Sequence, residues 1–238
     1  MAGTGPRTPT SQTIEGRLTA RPHPGNPPGA ADPPGERLLK LGGPRDGLLY
    51  VPPSYRADRP APLVVSLHGA GGSAGHGISL LHPLADEAGL LLLAPDSRGR
   101  SWDVIVQDGY GPDVDFLDRA LAEVFAQYSV DPGHLAIGGF SDGASYALCL
   151  GLANGDLFTH ILAFSPGFAS PPVQEGRPEI YISHGRSDTV LSIDACSRRI
   201  VPRLKRQGYE VLYREFDDGH VVPPAITGEA LSWFLHLG

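Results

Sequence analysis

The sequence predicts an α/β fold in which a mostly parallel sheet is covered by helices on both faces. Short apolar runs suited to buried parallel strands alternate along the chain with longer segments that have helical spacing. The chain has 238 residues, and 41% of them are apolar and 19% charged, which is typical of a folded globular protein. This length suits a single domain with a sizeable core.

The individual elements follow from the spacing of the apolar residues. Segment 113–128 shows apolar residues every three to four positions and acids in its first turn, which is the pattern of an amphipathic helix. Helices are also expected at 80–88, 144–150, 193–207 and 224–237. Strands are expected at 37–41, 47–51, 63–67, 90–94, 135–137, 160–164, 179–183 and 210–216.

The N-terminal segment differs in composition from the rest of the chain. It is rich in Pro, Gly, Thr and Ser, with pairs such as Pro27-Pro28 and Pro33-Pro34. Such a segment buries too little apolar surface to offset the entropy that is lost when a chain becomes ordered. We therefore expect residues 1–35 to form an extended or flexible arm and residues 36–238 to form the α/β domain.

Charge and cysteine content narrow the possible partners. The formal net charge is -7 and no basic stripe is present, so we expect no nucleic-acid partner and no anionic membrane partner. Two cysteines do not form a disulfide framework. The N-terminus lacks the apolar core of a signal peptide, and no apolar run is long enough to span a bilayer. A cytoplasmic protein, monomeric or homodimeric, is the expectation.

The pentapeptide Gly139-Phe140-Ser141-Asp142-Gly143 is the strongest functional signal. It reads Gly-x-Ser-x-Gly and lies between a predicted strand and a predicted helix. A serine at such a sharp strand-to-helix turn exposes its Oγ above the sheet, where it can act as a nucleophile. The alternative is a glycine-rich turn in which Ser141 only caps the following helix.

An acid and a base follow two later strands of the predicted sheet. The carboxyl ends of parallel strands gather catalytic groups at one edge, and Ser141, Asp188 and His220 each follow a strand. With an unperturbed pKa of about 6.5, His220 can take the serine proton and return it to a leaving group. Asp188 would orient the imidazole and stabilise its protonated form. Asp217 and Asp218 are alternatives, but they lie on the histidine's own loop.

A glycine-rich segment, 67–72, follows the predicted strand 63–67 and is suited to stabilising an oxyanion. Tetrahedral intermediates need N–H donors aimed at the developing negative charge. The backbone N–H of Asp142 is one expected donor, because it follows the nucleophile at a helix N-terminus. Ala70 is the expected second donor, with Gly71 as the alternative. His68 is expected to be structural and to lie beneath this loop.

The remaining site predictions concern the substrate and possible cofactors. The histidines do not show the spacing of a metal site, and no phosphate-binding loop motif is present, so neither a metal nor another cofactor is expected. Trp102 follows a strand on the site side, although packing in the core is an equal alternative for it. The residues expected to contact a small-molecule ester substrate are Gly71, Trp102, Phe168 and Val221.

Together, Leu67-His68-Gly69, the pentapeptide around Ser141, His184-Gly185 with Asp188, and Gly219-His220 resemble the phospholipase/carboxylesterase group of α/β-hydrolases. This group includes acyl-protein thioesterases and small bacterial esterases. The resemblance covers about residues 46–238. It implies an α/β-hydrolase fold and cofactor-free hydrolysis of esters or thioesters through an acyl-enzyme on Ser141. The chain departs from the family at Asp142, where the family often carries Gln.

These observations lead to a functional expectation with alternatives. Segment 164–178 is short, so no large lid is expected, and an open, shallow site favours short- to medium-chain carboxylic esters. Thioesters are included among the expected substrates. A polyester or feruloyl-type esterase, a serine peptidase and an acyltransferase on the same fold stay open as alternatives. A non-enzymatic binding protein is disfavoured, because the residues of the nucleophile, acid and base are all present.

Overall fold

A computed structural model of the chain describes residues 11–23, 33–107 and 109–236. Its centre is an eight-stranded sheet with the strand order β1-β2-β4-β3-β5-β6-β7-β8. The first two strands pair antiparallel, and every neighbouring pair from β4 to β8 is parallel. The strands are β1 (Gly35–Leu38), β2 (Gly47–Val51), β3 (Ala61–Leu67), β4 (Leu91–Pro95), β5 (Val130–Phe140), β6 (His160–Phe164), β7 (Glu179–Gly185) and β8 (Val211–Phe216).

Helices cover both faces of this sheet, as the sequence predicts. One apolar core lies between the sheet and helices α5, α6 and α7, and a second lies between the sheet and helices α2, α3 and α8. No helix in the described part of the chain is long and apolar enough to cross a membrane. The helices are α1 (Ser11–Ile14), α2 (Ala74–Ser79), α3 (His82–Ala88), α4 (Asp103–Val106), α5 (Pro112–Gln127), α6 (Asp142–Ala153), α7 (Ser197–Arg206) and α8 (Pro224–Phe234).

Several predicted element boundaries differ from the structure. The helix predicted over 80–88 is present as α3 but begins two residues later, at His82, and the short helix α2 before it was not predicted. Pro83 lies in the first turn of α3, where its missing N–H does not interrupt a hydrogen-bond ladder. The predicted strand 37–41 also ends early, since Lys40 has a positive φ of 58°. Helix α8 ends at Phe234, and residue 237 lies outside the described residues.

Part of the predicted N-terminal arm packs against the domain. Leu18 is only 2% exposed, and its N–H donates to Asn154 Oδ1 at 2.8 Å. The Asn154 amide in turn donates to the carbonyl oxygens of Gly16 and Leu150, both at 2.8 Å. Residues 11–23 are therefore anchored to the domain, because a buried side chain at the end of α6 binds their backbone. Residues 1–10 and 24–32 of the predicted arm lie outside the described residues.

We expect Asn154→Ala to destabilise the protein by roughly 2–3 kcal/mol, because the Leu18 N–H and the Gly16 carbonyl lose their buried partner. For a chain of this length this corresponds to a fall of roughly 5–10 °C in Tm, measurable by thermal denaturation. Asp156→Asn is the control, because it removes only the ion pairs with Arg17 and Arg21. Such partly exposed pairs contribute less than about 1 kcal/mol. Equal losses in both variants would contradict the anchoring role.

Candidate active site

Ser141 lies at a sharp turn between β5 and α6. Its backbone has φ 58° and ψ -116°, a conformation that non-glycine residues rarely adopt. The end of β3 approaches this turn so closely that a Cβ on Gly143 would lie 2.3 Å from the Leu67 carbonyl oxygen. Only glycine fits there. The Ser141 N–H donates to the Phe164 carbonyl at 2.9 Å, which ties the turn to the neighbouring strand.

The loops after β7 and β8 bring an acid and a base to Ser141. His220 Nε2 lies 2.9 Å from Ser141 Oγ, and His220 Nδ1 lies 2.6 Å from Asp188 Oδ2. With the carboxylate accepting the Nδ1 proton, the Nε2 lone pair faces the serine hydroxyl and can accept its proton. The three residues that the sequence singles out therefore form one continuous hydrogen-bonded chain.

The environment of Asp188 keeps its carboxylate ionised. Burial acts to raise its pKa, but the hydrogen bond from His220 and those from the Leu191 and Val190 N–H groups outweigh burial, so the pKa is lowered overall. The two backbone donors bind Oδ1 at 2.8 and 2.9 Å and leave Oδ2 for the imidazole. A carboxylate held in this way can stabilise the imidazolium that forms when His220 takes a proton.

The two alternative acids are occupied elsewhere. Asp217 forms an ion pair with Arg186 at 2.6 Å. Asp218 accepts a hydrogen bond from the Gly219 N–H at 2.7 Å. Neither makes a hydrogen bond to His220, whose ring packs against the Phe140 ring at a centroid distance of 4.6 Å. The geometry thus favours Asp188 over both.

A second buried histidine contacts the same carboxylate. His184 Nε2 lies 3.2 Å from Asp188 Oδ2 and 2.8 Å from the Leu191 carbonyl, to which it donates. The Ser197 hydroxyl donates to His184 Nδ1 at 2.7 Å, and burial lowers the pKa of this histidine, so its ring is neutral. Sequence reasoning assigned no role to His184. Its position four residues before Asp188, at the end of a buried strand, is the signal that could have found it.

The backbone around the nucleophile favours one of the two predicted oxyanion arrangements. The N–H groups of Ala70 and Asp142 have no acceptor in the described part of the chain. The Gly71 N–H, the alternative donor, instead binds the Arg100 carbonyl at 2.7 Å. Of the two candidates for the second donor, Ala70 is therefore the one whose N–H is left free for a substrate oxygen.

Trp102 does not contact the substrate cleft, so this expectation is wrong. Its side chain is 0% exposed, because it packs beneath the oxyanion loop and stacks on Tyr146 at 5.1 Å. Its indole N–H donates to the His68 carbonyl at 2.9 Å. His68 accepts from the Ser97 N–H and contacts the Gly69 carbonyl through Nδ1, and burial lowers its pKa. A neutral His68 that supports the loop agrees with its predicted structural role.

The Asp142 side chain is held by a neighbouring loop. The buried Ser101 hydroxyl donates to its carboxylate, which ties the first turn of α6 to the loop that follows β4. An acidic residue in the first turn also interacts favourably with the helix dipole. This contact explains how a carboxylate is accommodated next to a nucleophilic serine, where the related family often carries Gln.

The other predicted substrate contacts lie at the surface. Val221 is 43% exposed, Phe168 is half-buried, and a Cβ on Gly71 would meet no atom within 4 Å. A cavity of about 460 Å³ adjoins the His220 ring through Phe140, and Val222 rather than Val221 lines it. Its apolar walls are Leu67, Leu80, Leu84, Phe140 and Val222.

No group of three or more His, Cys, Asp or Glu side chains within residues 11–23, 33–107 and 109–236 could hold a metal ion.

The sheet topology and the position of Ser141 after β5 define the α/β-hydrolase fold class. The model of a family described as "Putative esterase" matches residues 40–199, and the chain belongs to this esterase family. It is 29% identical over 158 residues to "Probable feruloyl esterase C" of Aspergillus oryzae, covering 63% of this chain. The chain thus spans only 57% of that relative's length.

Solved structures share the fold at low sequence identity. The crystal structure of esterase PE8 superimposes with a TM-score of 0.66 at 22% identity, covering 82% of this chain and 99% of the other. Acyl-protein thioesterase 2 of Zea mays has a TM-score of 0.56 at 19% identity, covering 86% of this chain and 100% of the other. These likenesses confirm the α/β-hydrolase fold that the motifs predict.

We expect His184→Ala to lower kcat for p-nitrophenyl acetate about ten- to a hundredfold with little change in KM, because a displacement of about 1 Å in a catalytic group can have this effect. His184→Gln keeps an N–H donor and should retain more activity. His134→Ala is the control, since His134 bonds to Asp131 away from the site. Steady-state kinetics measure the effects on kcat and on KM separately. A wild-type kcat in His184→Ala would exclude a positioning role for His184.

Proposed function

We propose that this protein is a serine esterase that hydrolyses short- to medium-chain carboxylic esters, including thioesters, through an acyl-enzyme on Ser141. The hydrogen-bonded chain from Ser141 through His220 to Asp188 is the observation that carries this proposal. Membership of the esterase family supports it independently.

The proposed reaction has two halves. In the first, His220 takes the Ser141 proton while Oγ attacks the substrate carbonyl carbon, and the N–H groups of Ala70 and Asp142 bind the resulting oxyanion. The imidazolium, stabilised by Asp188, then protonates the departing alcohol or thiol. In the second half, a water molecule takes the place of the alcohol, and His220 accepts one of its protons while the water oxygen attacks the acyl carbon. The bond to Ser141 Oγ then breaks, the imidazolium returns the proton to Oγ, and the carboxylic acid leaves.

The surroundings of Ser141 support a preference for small acyl groups. Among the described residues, the segment 165–178 between β6 and β7 contains no helix or strand that could act as a lid. Ser141 itself is 8% exposed, and the apolar cavity beside Phe140 is limited to about 460 Å³. A long acyl chain would leave much of its apolar surface in water, so its binding would gain little.

A feruloyl-type activity is the second candidate, and one observation favours it. The curated relatives whose printed name is feruloyl esterase C match 63% of this chain, although the chain spans only 57% of their length. A substrate of this type would place an aromatic ring near the Phe140 cavity.

The cytoplasmic location and the monomeric or homodimeric state stay predictions.

We expect kcat/KM to fall from p-nitrophenyl acetate through butyrate to octanoate. Ser141→Ala and His220→Ala should each lower kcat by roughly a thousandfold or more, because the nucleophile and base act as a unit. Release of p-nitrophenol measures both effects. The second candidate, a feruloyl-type esterase, predicts a higher kcat/KM for methyl ferulate than for methyl butyrate. Full activity in Ser141→Ala, or a wild type without turnover, would refute the esterase assignment.

A further inference from the structure

A cleft of about 280 Å³ lies outside the Ser141 site, between the segment after β6 and helix α7. Three arginines of α7, Arg199, Arg203 and Arg206, line it together with Gly167 and Phe168. Their spacing of four and three residues places them on one face of the helix. The cleft therefore presents three guanidinium groups along one wall.

Among the residues that the structure describes, these arginines have no carboxylate partner, whereas their neighbour Arg198 has two. Within the described residues, Arg199, Arg203 and Arg206 form no ion pair, and Arg203 donates only to the Ala169 carbonyl. Arg198, one position away on the same helix, binds both Asp194 and Glu215. In a chain of net charge -7, three adjacent cations without a carboxylate form a local site for an anion.

The helix dipole does not explain this arrangement. Arg203 and Arg206 lie in the last turn of α7, where a cation is favoured. Arg199 lies in the first turn, where the dipole disfavours a cation and a like charge four residues later adds repulsion. A bound anion would offset both effects.

One residue that lines the cleft, Gly167, is connected to the Ser141 turn by hydrogen bonds. The Gly167 N–H donates to Ser145 Oγ at 2.9 Å, and Ser145 Oγ donates to the Ser141 carbonyl at 3.1 Å. A Cβ on Gly167 would also lie 3.5 Å from the Leu191 side chain, whose N–H binds Asp188. Gly167 is thus connected to both the Ser141 turn and the Asp188 loop, and it shares the cleft with residues of α7.

We propose that this cleft binds the leaving group of the substrate, an alcohol or thiol that carries phosphate or carboxylate groups. This inference rests on the proposed esterase function and names its substrate class. Guanidinium groups bind phosphates and carboxylates through paired hydrogen bonds. Arg206 lies seven positions after Arg199 on the helix, which is about 10 Å along the axis. An extended leaving group with several negative charges matches this length.

Calorimetric titration of the Ser141→Ala protein tests the cleft without turnover. The probes are coenzyme A, which carries phosphates, trigalacturonate, which carries carboxylates, and neutral pantetheine. We expect one of the two anions to bind at least about tenfold more tightly than pantetheine at low salt, and this preference to shrink at high salt. Which anion binds distinguishes a phosphate from a carboxylate ligand.

The double substitution Arg199→Gln/Arg206→Gln in the same background should abolish that preference, because it removes two of the three guanidinium groups. It leaves the contact between Arg203 and the Ala169 carbonyl in place, so the wall of the cleft is retained. Lys205→Gln is the matched control, because it removes one charge from the same helix outside the cleft. Equal affinity for all probes, or an unchanged preference in the double variant, would overturn the inference. A wild type that fails to hydrolyse p-nitrophenyl acetate would refute the esterase function instead, while the titration still reports on the cleft.

In the active enzyme, the ratio of kcat/KM for acetyl-coenzyme A to that for S-acetylpantetheine isolates the leaving-group role. The two thioesters share the reacting atoms and differ in the phosphate-bearing part. If coenzyme A is the preferred anion, we expect this ratio to be at least about ten in the wild type and near one in the Arg199→Gln/Arg206→Gln variant. An unchanged ratio would refute a role in leaving-group binding.

Discussion

The close approach of β3 and β5 at the Ser141 turn is the constraint on which the rest of the site depends. The two strands pair in parallel register, with Leu67 opposite Gly139, and the turn then folds back against the Leu67 carbonyl. This packing excludes any side chain at Gly143 and holds Ser141 in its left-handed conformation. As a result the hydroxyl lies at the end of the sheet, within hydrogen-bonding distance of His220 Nε2.

A second close approach brings the acid and base to that hydroxyl. Strands β7 and β8 run in parallel register up to Gly185 and Phe216, and a Cβ on Gly185 would lie only 2.2 Å from the Gly219 carbonyl. The two loops therefore leave the sheet in contact with each other. Asp188 and His220 lie three and one residues beyond these glycines, which is why their side chains meet over the nucleophile.

The hydrogen-bonded group of Ser141, His220 and Asp188 was predictable from sequence because parallel strand ends meet at one edge of a sheet. That rule needs only the order of apolar runs and the polar residue after each of them. Trp102 also follows a strand, but the rule does not tell whether a side chain turns into the cleft or into the core. Its indole N–H satisfies the His68 carbonyl beneath the loop, and this long-range contact has no local pattern in the sequence.

Contacts distant in sequence also explain the other differences. Composition suggested an extended or flexible arm for residues 1–35 but could not show that Asn154, more than 130 residues away at the end of α6, binds the backbone of Gly16 and Leu18. The role of His184 was not predicted because it depends on Ser197 and Leu191, which only the fold brings around Asp188. Short elements such as α1 and α4, with four residues each, are too brief to show a periodic pattern.

Covalent labelling of the nucleophile tests the central claim most directly. A fluorophosphonate should react with the native protein once per chain, and peptide mass spectrometry should locate the adduct on Ser141. Labelling should disappear in Ser141→Ala and become far slower in His220→Ala, because the neighbouring base activates the hydroxyl. An adduct on another serine, or equal labelling in Ser141→Ala, would contradict the account.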